Sequence, residues 1–366
     1  MKSNAKFAKR CVLTVACAIG SMSLFALTPA GAAEAYHGVA VGPTSEALHA
    51  WHENLKAFPP MEEGCFHANY PSLVWEQEEC LPPPTYESIP PAQIGKGSAT
   101  VAAGTNSETS DVVSAADGAV FQTVGNGYDY AAKTSGTFGS TTGSFPTVTG
   151  VTSASTDAYT LQINTNNSAG PAALCKGYSI SNCTTWQQFI YASAGPNVTP
   201  GPAAIFIQNW IFPLPKRCPS GWTRSVAGGG CVKNSAAVTV STVALSDLAK
   251  AKLSGSASTS GNDVVTFTYG TTVKSVSQKG STLDIGSTWN KSEFNVFGNG
   301  STSPVVSFNK GSSLTVKVEV NDGTTRAPTC TGPTGAGETY EQNNLTLGAC
   351  TAAGGSSPYI QFTQSN

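Results

Sequence analysis

Two side chains in this sequence have the chemistry to work on a substrate bond together, a glutamate and a glutamine. Glu293 stands in Trp289-Asn-Lys-Ser-Glu-Phe-Asn-Val-Phe-Gly298. Read as a strand, this stretch sends Phe294 and Val296 to one face and Trp289, Glu293, Asn295 and Phe297 to the other. The first face suits a core. The second mixes aromatic rings with a carboxylate and an amide, which suits a cleft that grips a substrate and moves a proton. Gln162 stands in Ala158-Tyr-Thr-Leu-Gln-Ile-Asn164, where Tyr159, Leu161 and Ile163 share one face and Thr160, Gln162 and Asn164 the other. A carboxylate can take a proton from water and an amide N–H can stabilise an oxyanion, so a Glu/Gln pair suffices for amide hydrolysis without histidine or metal. Taken singly, each residue also reads as an ordinary polar group on a solvated sheet face.

The other ionisable residues narrow the chemistry. Beyond Glu108 the glutamates are Glu293, Glu319, Glu338 and Glu341. Glu319 sits beside Lys317 on the polar face of a regular alternating strand, and Glu338 and Glu341 fall in a Gly-rich segment between Cys330 and Cys350, expected to be loop. Glu293 alone is bracketed by aromatics. All histidines, His37, His49, His52 and His67, lie in the N-terminal piece. No Ser-His-Asp, Cys-His or zinc-histidine machinery can therefore be built within the remaining chain alone. His49, His52 and His67 with Cys65 read as a helix surface and its neighbours rather than a metal site, and Asp263, Asp284 and Asp322 are too isolated for a calcium loop. No metal or cofactor is expected.

The elements that must position this pair are strands. From Asp111 onward, short alternating segments rich in Val, Thr, Phe, Tyr and Ile recur between Gly, Ser, Asn and Pro. They include Ala119–Val124, Ala158–Asn164, Phe189–Ala192, Ala203–Phe212, Val264–Thr268, Ser313–Val320 and Tyr359–Phe362, with one brief helical interruption at Ala244–Leu253. The expected fold is an all-β, two-sheet antiparallel β-sandwich of the concanavalin-like or jelly-roll type. Before it, Leu48, Trp51, Leu55 and Phe58 fall at helical spacing, with Ser45 as cap and Pro59-Pro60 as stop. A hairpin or loop stapled by Cys65 and Cys80 follows, and Pro82-Pro83-Pro84 and Pro90-Pro91 make a stiff connector.

The first 32 residues carry Lys2, Lys6, Lys9 and Arg10, an apolar run from Cys11 to Leu27 and small residues at Ala30-Gly31-Ala32. That is the pattern of a secretory signal peptide. The expected division is thus 1–32 signal, 33–110 helix, stapled loop and connector, and 111–366 sandwich, with the mature chain secreted, extracellular or periplasmic. The eight cysteines beyond the signal form near pairs in sequence: Cys65 and Cys80, Cys175 and Cys183, Cys218 and Cys231, Cys330 and Cys350. Local disulfides are expected, though spacing alone does not fix their connectivity. Charged residues are 11% of the chain and the net charge is -2, with no basic run, which argues against a nucleic-acid partner. No further long apolar segment follows the signal, so no membrane span is expected.

Three segments, in order, resemble the glutamic peptidases, or eqolisins: Leu161-Gln162, Trp210-Ile211-Phe212-Pro213 and Trp289-Asn-Lys-Ser-Glu293-Phe294. The resemblance implies a β-sandwich acid endopeptidase acting on polypeptides. In it Glu293 is general base then acid, Gln162 is the oxyanion donor, and Trp210 and Trp289 are cleft walls. We add Phe297 and Asn295 as candidate substrate contacts on the Glu293 face. The chain carries one more residue between Trp289 and Glu293 than the family pattern, which in a regular strand puts both on one face. The second reading is a monomeric, non-catalytic, lectin-like sandwich that presents Trp210, Trp289, Phe297, Gln208 and Asn209 to a carbohydrate or other polymer.

Overall fold

Period-two runs become strands, and the strands assemble two large antiparallel sheets. The computed structural model describes residues 43–85, 125–152, 158–176, 183–194, 201–226, 228–299, 305–334, 339 and 341–366. All of these but Pro43 belong to the unit Thr44–Asn366. The signal sequence, His37, most of the Pro-rich connector, the Ala119–Val124 run and Glu338 lie outside the described residues.

One sheet, here the back sheet, runs in the order Glu76–Glu78, Gly64–Asn69, Thr272–Lys279, Asn262–Tyr269, Ala251–Ser256, Ser140–Thr149, Ser313–Asn321, Tyr359–Ser365, Thr346–Ala353. The other, the site sheet, runs Thr329–Thr331, Ala131–Lys133, Lys291–Phe297, Thr160–Thr165, Thr184–Ala192, Ala204–Phe212, Gly230–Asn234, Thr223–Ser225. The expected all-β sandwich is what forms. Leu161, Ile163, Phe189 and Phe294 from the site sheet meet Leu253, Val265 and Val318 from the back sheet in one buried cluster. A Cβ at Gly143 would lie 2.1 Å from the Phe294 ring, so only glycine lets the back sheet close onto that strand. Phe294 is thereby anchored, and its neighbour Glu293 faces away from the core.

The helix spans Ser45–Ala57 and is capped by Thr44, not Ser45: the Thr44 hydroxyl accepts from the Ala47 N–H at 3.2 Å. It buries Trp51 and Leu55 against Ala68 and Val273 of the back sheet. Phe58, expected on the helix's apolar face, ends the helix instead and stays 75% exposed. The Cys65–Cys80 segment is a hairpin, and its Gly64–Asn69 strand extends the back sheet by pairing with Thr272–Lys279. The other bridges are Cys175–Cys183, Cys218–Cys231 and Cys330–Cys350, each closing a short local loop. The expected helical turn after Ala244 is a 3-10 helix, Leu245–Lys250. Leu253 belongs to the strand that follows, where alternate residues are buried.

Between the sheets lies a buried polar layer that the periodicity does not announce. Gln187 and Asn209 are register neighbours on the site sheet, and Asp263 and Gln278 are register neighbours on the back sheet. Asn209 and Gln278 exchange amide hydrogen bonds at 3.1 and 3.0 Å. Asp263 is wholly buried, and that burial pushes its carboxyl up to about 8, although the nearby Gln187 and Gln278 amides and the Ser258 backbone pull it down; nearby Asp284 adds a further rise. The folded chain thus keeps a proton on Asp263 that the unfolded chain releases near pH 4. The stability this gives is complete below that pH and is lost as pH rises toward about 8, at roughly tenfold in the folding equilibrium per pH unit. Asp263→Asn should make the fall in urea stability from pH 4 to pH 8 shallower by about one proton; an unchanged slope would show that Asp263 does not hold it.

Candidate functional site

The outer face of the site sheet carries a polar row built by register. Glu293 pairs with Asn164, Asn164 with Gln188, Gln188 with Gln208 and Gln208 with Asn234, so five adjacent strands each contribute one polar residue at the same level. One step along, the row runs Asn295, Gln162, Ile190, Phe206, and a step the other way Trp186 pairs with Trp210 and Trp210 with Val232. Each strand alternates these residues with core residues such as Ile163, Phe189, Ile207 and Phe294, which explains why the polar ones share a face. The row is polar at its centre and apolar at both flanks: Ile190, Ala192, Ala204 and Phe206 cluster on one side, Trp186, Trp210 and Val232 on the other.

Amide groups organise the carboxylates. Asn164 donates from Nδ2 to Glu293 Oε2 at 2.8 Å, and the backbone N–H of Asn126 donates to the same oxygen at 3.2 Å. Gln162 donates from Nε2 to Glu341 Oε2 at 2.7 Å and to Thr160 Oγ1 at 2.9 Å. Gln188 spends both Nε2 protons on these two amides, reaching Gln162 Oε1 at 2.8 Å and Asn164 Oδ1 at 3.0 Å. Because each acceptor oxygen points at Gln188, each NH₂ group points away from it, toward a carboxylate. The result is two carboxyl–amide pairs, Glu293 with Asn164 and Glu341 with Gln162, tied by one glutamine.

Two segments lie against this face. Gly125 to Asp129 crosses beside Glu293, and Thr339 and Glu341 cross beside Gln162, linked by hydrogen bonds from Thr339 N to Gly125 O at 3.1 Å and from Asn126 Nδ2 to Glu341 O at 3.1 Å. Gly125 has φ +55, and a Cβ there would fall 1.5 Å from Glu293 Oε2, so the approach is open to glycine alone. Asp129 accepts from Asn126 Nδ2 at 3.1 Å and from Asn295 Nδ2 at 2.6 Å. Burial nevertheless pushes its carboxyl up to about 6, the two amide hydrogen bonds offsetting only part of the loss of water. Glu293, Gln162, Asn164, Gln188 and Glu341 are each fully buried.

Glu293 and Gln162 thus share one face on adjacent strands, but the amide that touches Glu293 is Asn164. Asn295 opposes Gln162 in register and binds Asp129 and Gln364, and Phe297 opposes Thr160. Trp210 stands on the same face, its Nε1 donating to Gln208 Oε1 at 2.8 Å. Trp289 does not join them. A 3-10 turn at Ile285–Ser287 precedes the strand, which begins at Lys291, so the alternation stops short of Trp289 and its ring packs in the core against Phe138 and Phe189. Residue types and spacing gave no sign of Gln188, Asp129 or Glu341 as members of the site. Asn164 carried a signal, lying on the Gln162 face of the same strand, but its partner became evident only with the register. Among the described residues, no group of three or more His, Cys, Asp or Glu side chains is placed to hold a metal ion, and no helix is long and apolar enough to cross a membrane.

No family model matches the chain, and no curated protein matches it. Among solved structures, Scytalido-glutamic peptidase with a peptide-based transition-state analog aligns over 67% of this chain and all of its own, at 14% identity and a TM-score of 0.23. A second structure of that peptidase, with a transition state analog inhibitor, aligns over 66% of this chain and 98% of its own, at 16% identity and a TM-score of 0.20. The likeness is remote.

Gln188→Leu keeps the apolar bulk but removes both donors, leaving the Gln162 and Asn164 oxygens buried without that partner. We expect a stability loss of about 1–3 kcal/mol in urea unfolding. A loss within about 0.5 kcal/mol, the size of an ordinary surface change, would mean that Gln188 does not organise the pair.

Proposed function

We propose that the chain is a secreted, acid-acting endopeptidase in which Glu293 works first as general base and then as general acid. The observation that carries this reading is the Glu293 carboxylate held at 2.8 Å by the Asn164 amide, with the Gln162 amide beside it on the same strand face. Strands fix these groups more firmly than loops do, and a carboxylate beside aimed amide donors is what hydrolysis of a peptide bond asks for.

In the reaction, Glu293 takes a proton from a water molecule, whose oxygen then attacks the peptide carbonyl carbon. The C=O pair moves onto oxygen, and the resulting oxyanion is stabilised by an amide N–H. Gln162 fills that role when one of its donors is released, and Asn164 lies next to it with one Nδ2 proton engaged by Glu293. As the C–N bond breaks, Glu293 returns its proton to the leaving nitrogen, which yields an amine and a carboxylic acid and restores the carboxylate. Trp210, Phe297 and Asn295, expected as substrate contacts, are fully buried and so are not presented to a polypeptide. The disulfides and the signal-like N-terminal sequence support export. The proposed enzyme is monomeric and needs no cofactor.

The sugar-platform reading asks for presented tryptophan faces. Trp210 and Trp289 are 0% and 1% exposed, so the described surface offers neither ring.

Digestion of an acid-denatured protein should proceed between about pH 3 and neutrality, spanning glutamate titration, and Glu293→Gln should lower its rate by about 10²–10⁴-fold. Unchanged cleavage by the folded variant, or none by the wild type at any pH, would count against the proposal.

A further inference from the structure

We propose that Glu341 is an internal occupant of the oxyanion position, an autoinhibitory carboxylate that holds the working N–H of Gln162 until it is protonated. This rests on the peptidase reading above and adds its regulation.

A glutamine side chain has two N–H groups, and those of Gln162 go to Thr160 Oγ1 at 2.9 Å and Glu341 Oε2 at 2.7 Å. A substrate oxygen that is to receive a hydrogen bond from Gln162 must therefore displace one of them. Thr160 lies on the same strand as Gln162, fixed by the sheet, and its hydroxyl donates onward to Gly298 O at 3.1 Å. Glu341 belongs to neither sheet. It reaches Gln162 from outside both sheets, so of the two acceptors it is the one not fixed by the strand that carries Gln162.

A carboxylate oxygen on an amide donor is also the chemical likeness of an oxyanion. The Glu341 contact is charge-assisted while the side chain is ionised, and about twice as strong as a bond between neutral groups. Protonation removes that advantage and lets the developing oxyanion compete. Local bonds keep the carboxylate aimed. Thr339 Oγ1 donates to Glu341 Oε2 at 3.1 Å and accepts from the Glu341 N–H at 3.2 Å, while Asn126 holds the Glu341 carbonyl.

The ionisable groups in the same network are Glu293, connected through Gln188 and Asn164, and Asp129, connected through Asn126. Lys291 lies on the Glu293 strand, on the same face by alternation. Protonation of either neighbour relieves repulsion on the Glu341 carboxylate and so favours its charged form, and occlusion weakens only once Glu341 itself takes a proton.

The test compares wild type, Glu341→Gln and Glu341→Ala on a fluorogenic peptide library from pH 3 to 7, taking the ratio of activity at pH 6.5 to that at pH 3.5 in each. Above the Glu341 titration the wild-type rate should fall about tenfold per pH unit. Both variants should raise the ratio at least about tenfold, because neither places an anion on Gln162. A ratio unchanged in the folded variants, or a loss of activity at all pH values, overturns the proposal. If Glu341→Ala does not fold, the near-isosteric Glu341→Gln carries the comparison. A second readout needs no activity. The Gln162 side-chain NH₂ resonances should shift with the Glu341 titration in wild type and lose that step in Glu341→Gln. No cleavage by any of the three proteins, with the NMR step present, would sink the peptidase reading and leave the contact standing. Absence of the NMR step would sink the contact itself.

Discussion

The arrangement of the site depends on one side chain with two donors. Gln188 gives both of its N–H groups to amide oxygens, those of Gln162 and Asn164, and so decides which way each amide faces. Without that constraint either amide could rotate and offer an oxygen to a neighbouring carboxylate, an arrangement that repels. With it, both NH₂ groups face carboxylates. The strands supply the spacing, since the register puts Glu293, Asn164 and Gln188 at one level, and the core supplies the rigidity through Phe294 and Phe189 on the opposite face.

A fold that buries carboxyls has to neutralise them, and this one leans on protons and amides. Asp129 on the outer face of the site sheet and Asp263 between the sheets both have their carboxyls pushed up by burial, to about 6 and about 8. They lie on opposite sides of the site sheet, so the same solvent cost acts in two separate places. Each holds a proton in the folded chain at a pH where the unfolded chain has released it, so each favours the native state toward acid pH. Scaffold stability and the proposed release of Gln162 by Glu341 therefore point in the same direction along the pH axis. The low overall charge fits this economy, since a surface of Ser, Thr, Asn and Gly has few groups whose titration would oppose it.

Much of the scaffold was legible because it is written in alternation. Tyr159, Leu161 and Ile163 against Thr160, Gln162 and Asn164 give the face of a strand without further information, and Phe294 and Val296 do the same for the Glu293 strand. The alternation failed at Trp289, where a 3-10 turn supplied by Ile285–Ser287 resets the direction of the chain before the strand begins. Register was not legible. Which polar residue meets Glu293 depends on a two-residue offset between neighbouring strands, and that offset separates Asn164 from Gln162. Nor was Glu341. A glutamate in a Gly-rich stretch between two cysteines looks like solvated loop, and only the hydrogen bonds from Gln162 and Thr339 show it to be held inside. The Asp263 layer was hidden for a similar reason, because a single aspartate beside a run of valines carries no sign of the amides that the opposing sheet brings to it.

The most direct test is neutron diffraction from a deuterium-exchanged crystal near neutral pH, which locates protons on nitrogen and oxygen. Deuterons are expected on Gln188 Nε2 directed at both Gln162 Oε1 and Asn164 Oδ1, on those two amides directed at Glu341 and Glu293, and on the Asp263 carboxyl. A Gln188 oxygen facing either amide, or a fully ionised Asp263, would contradict this arrangement.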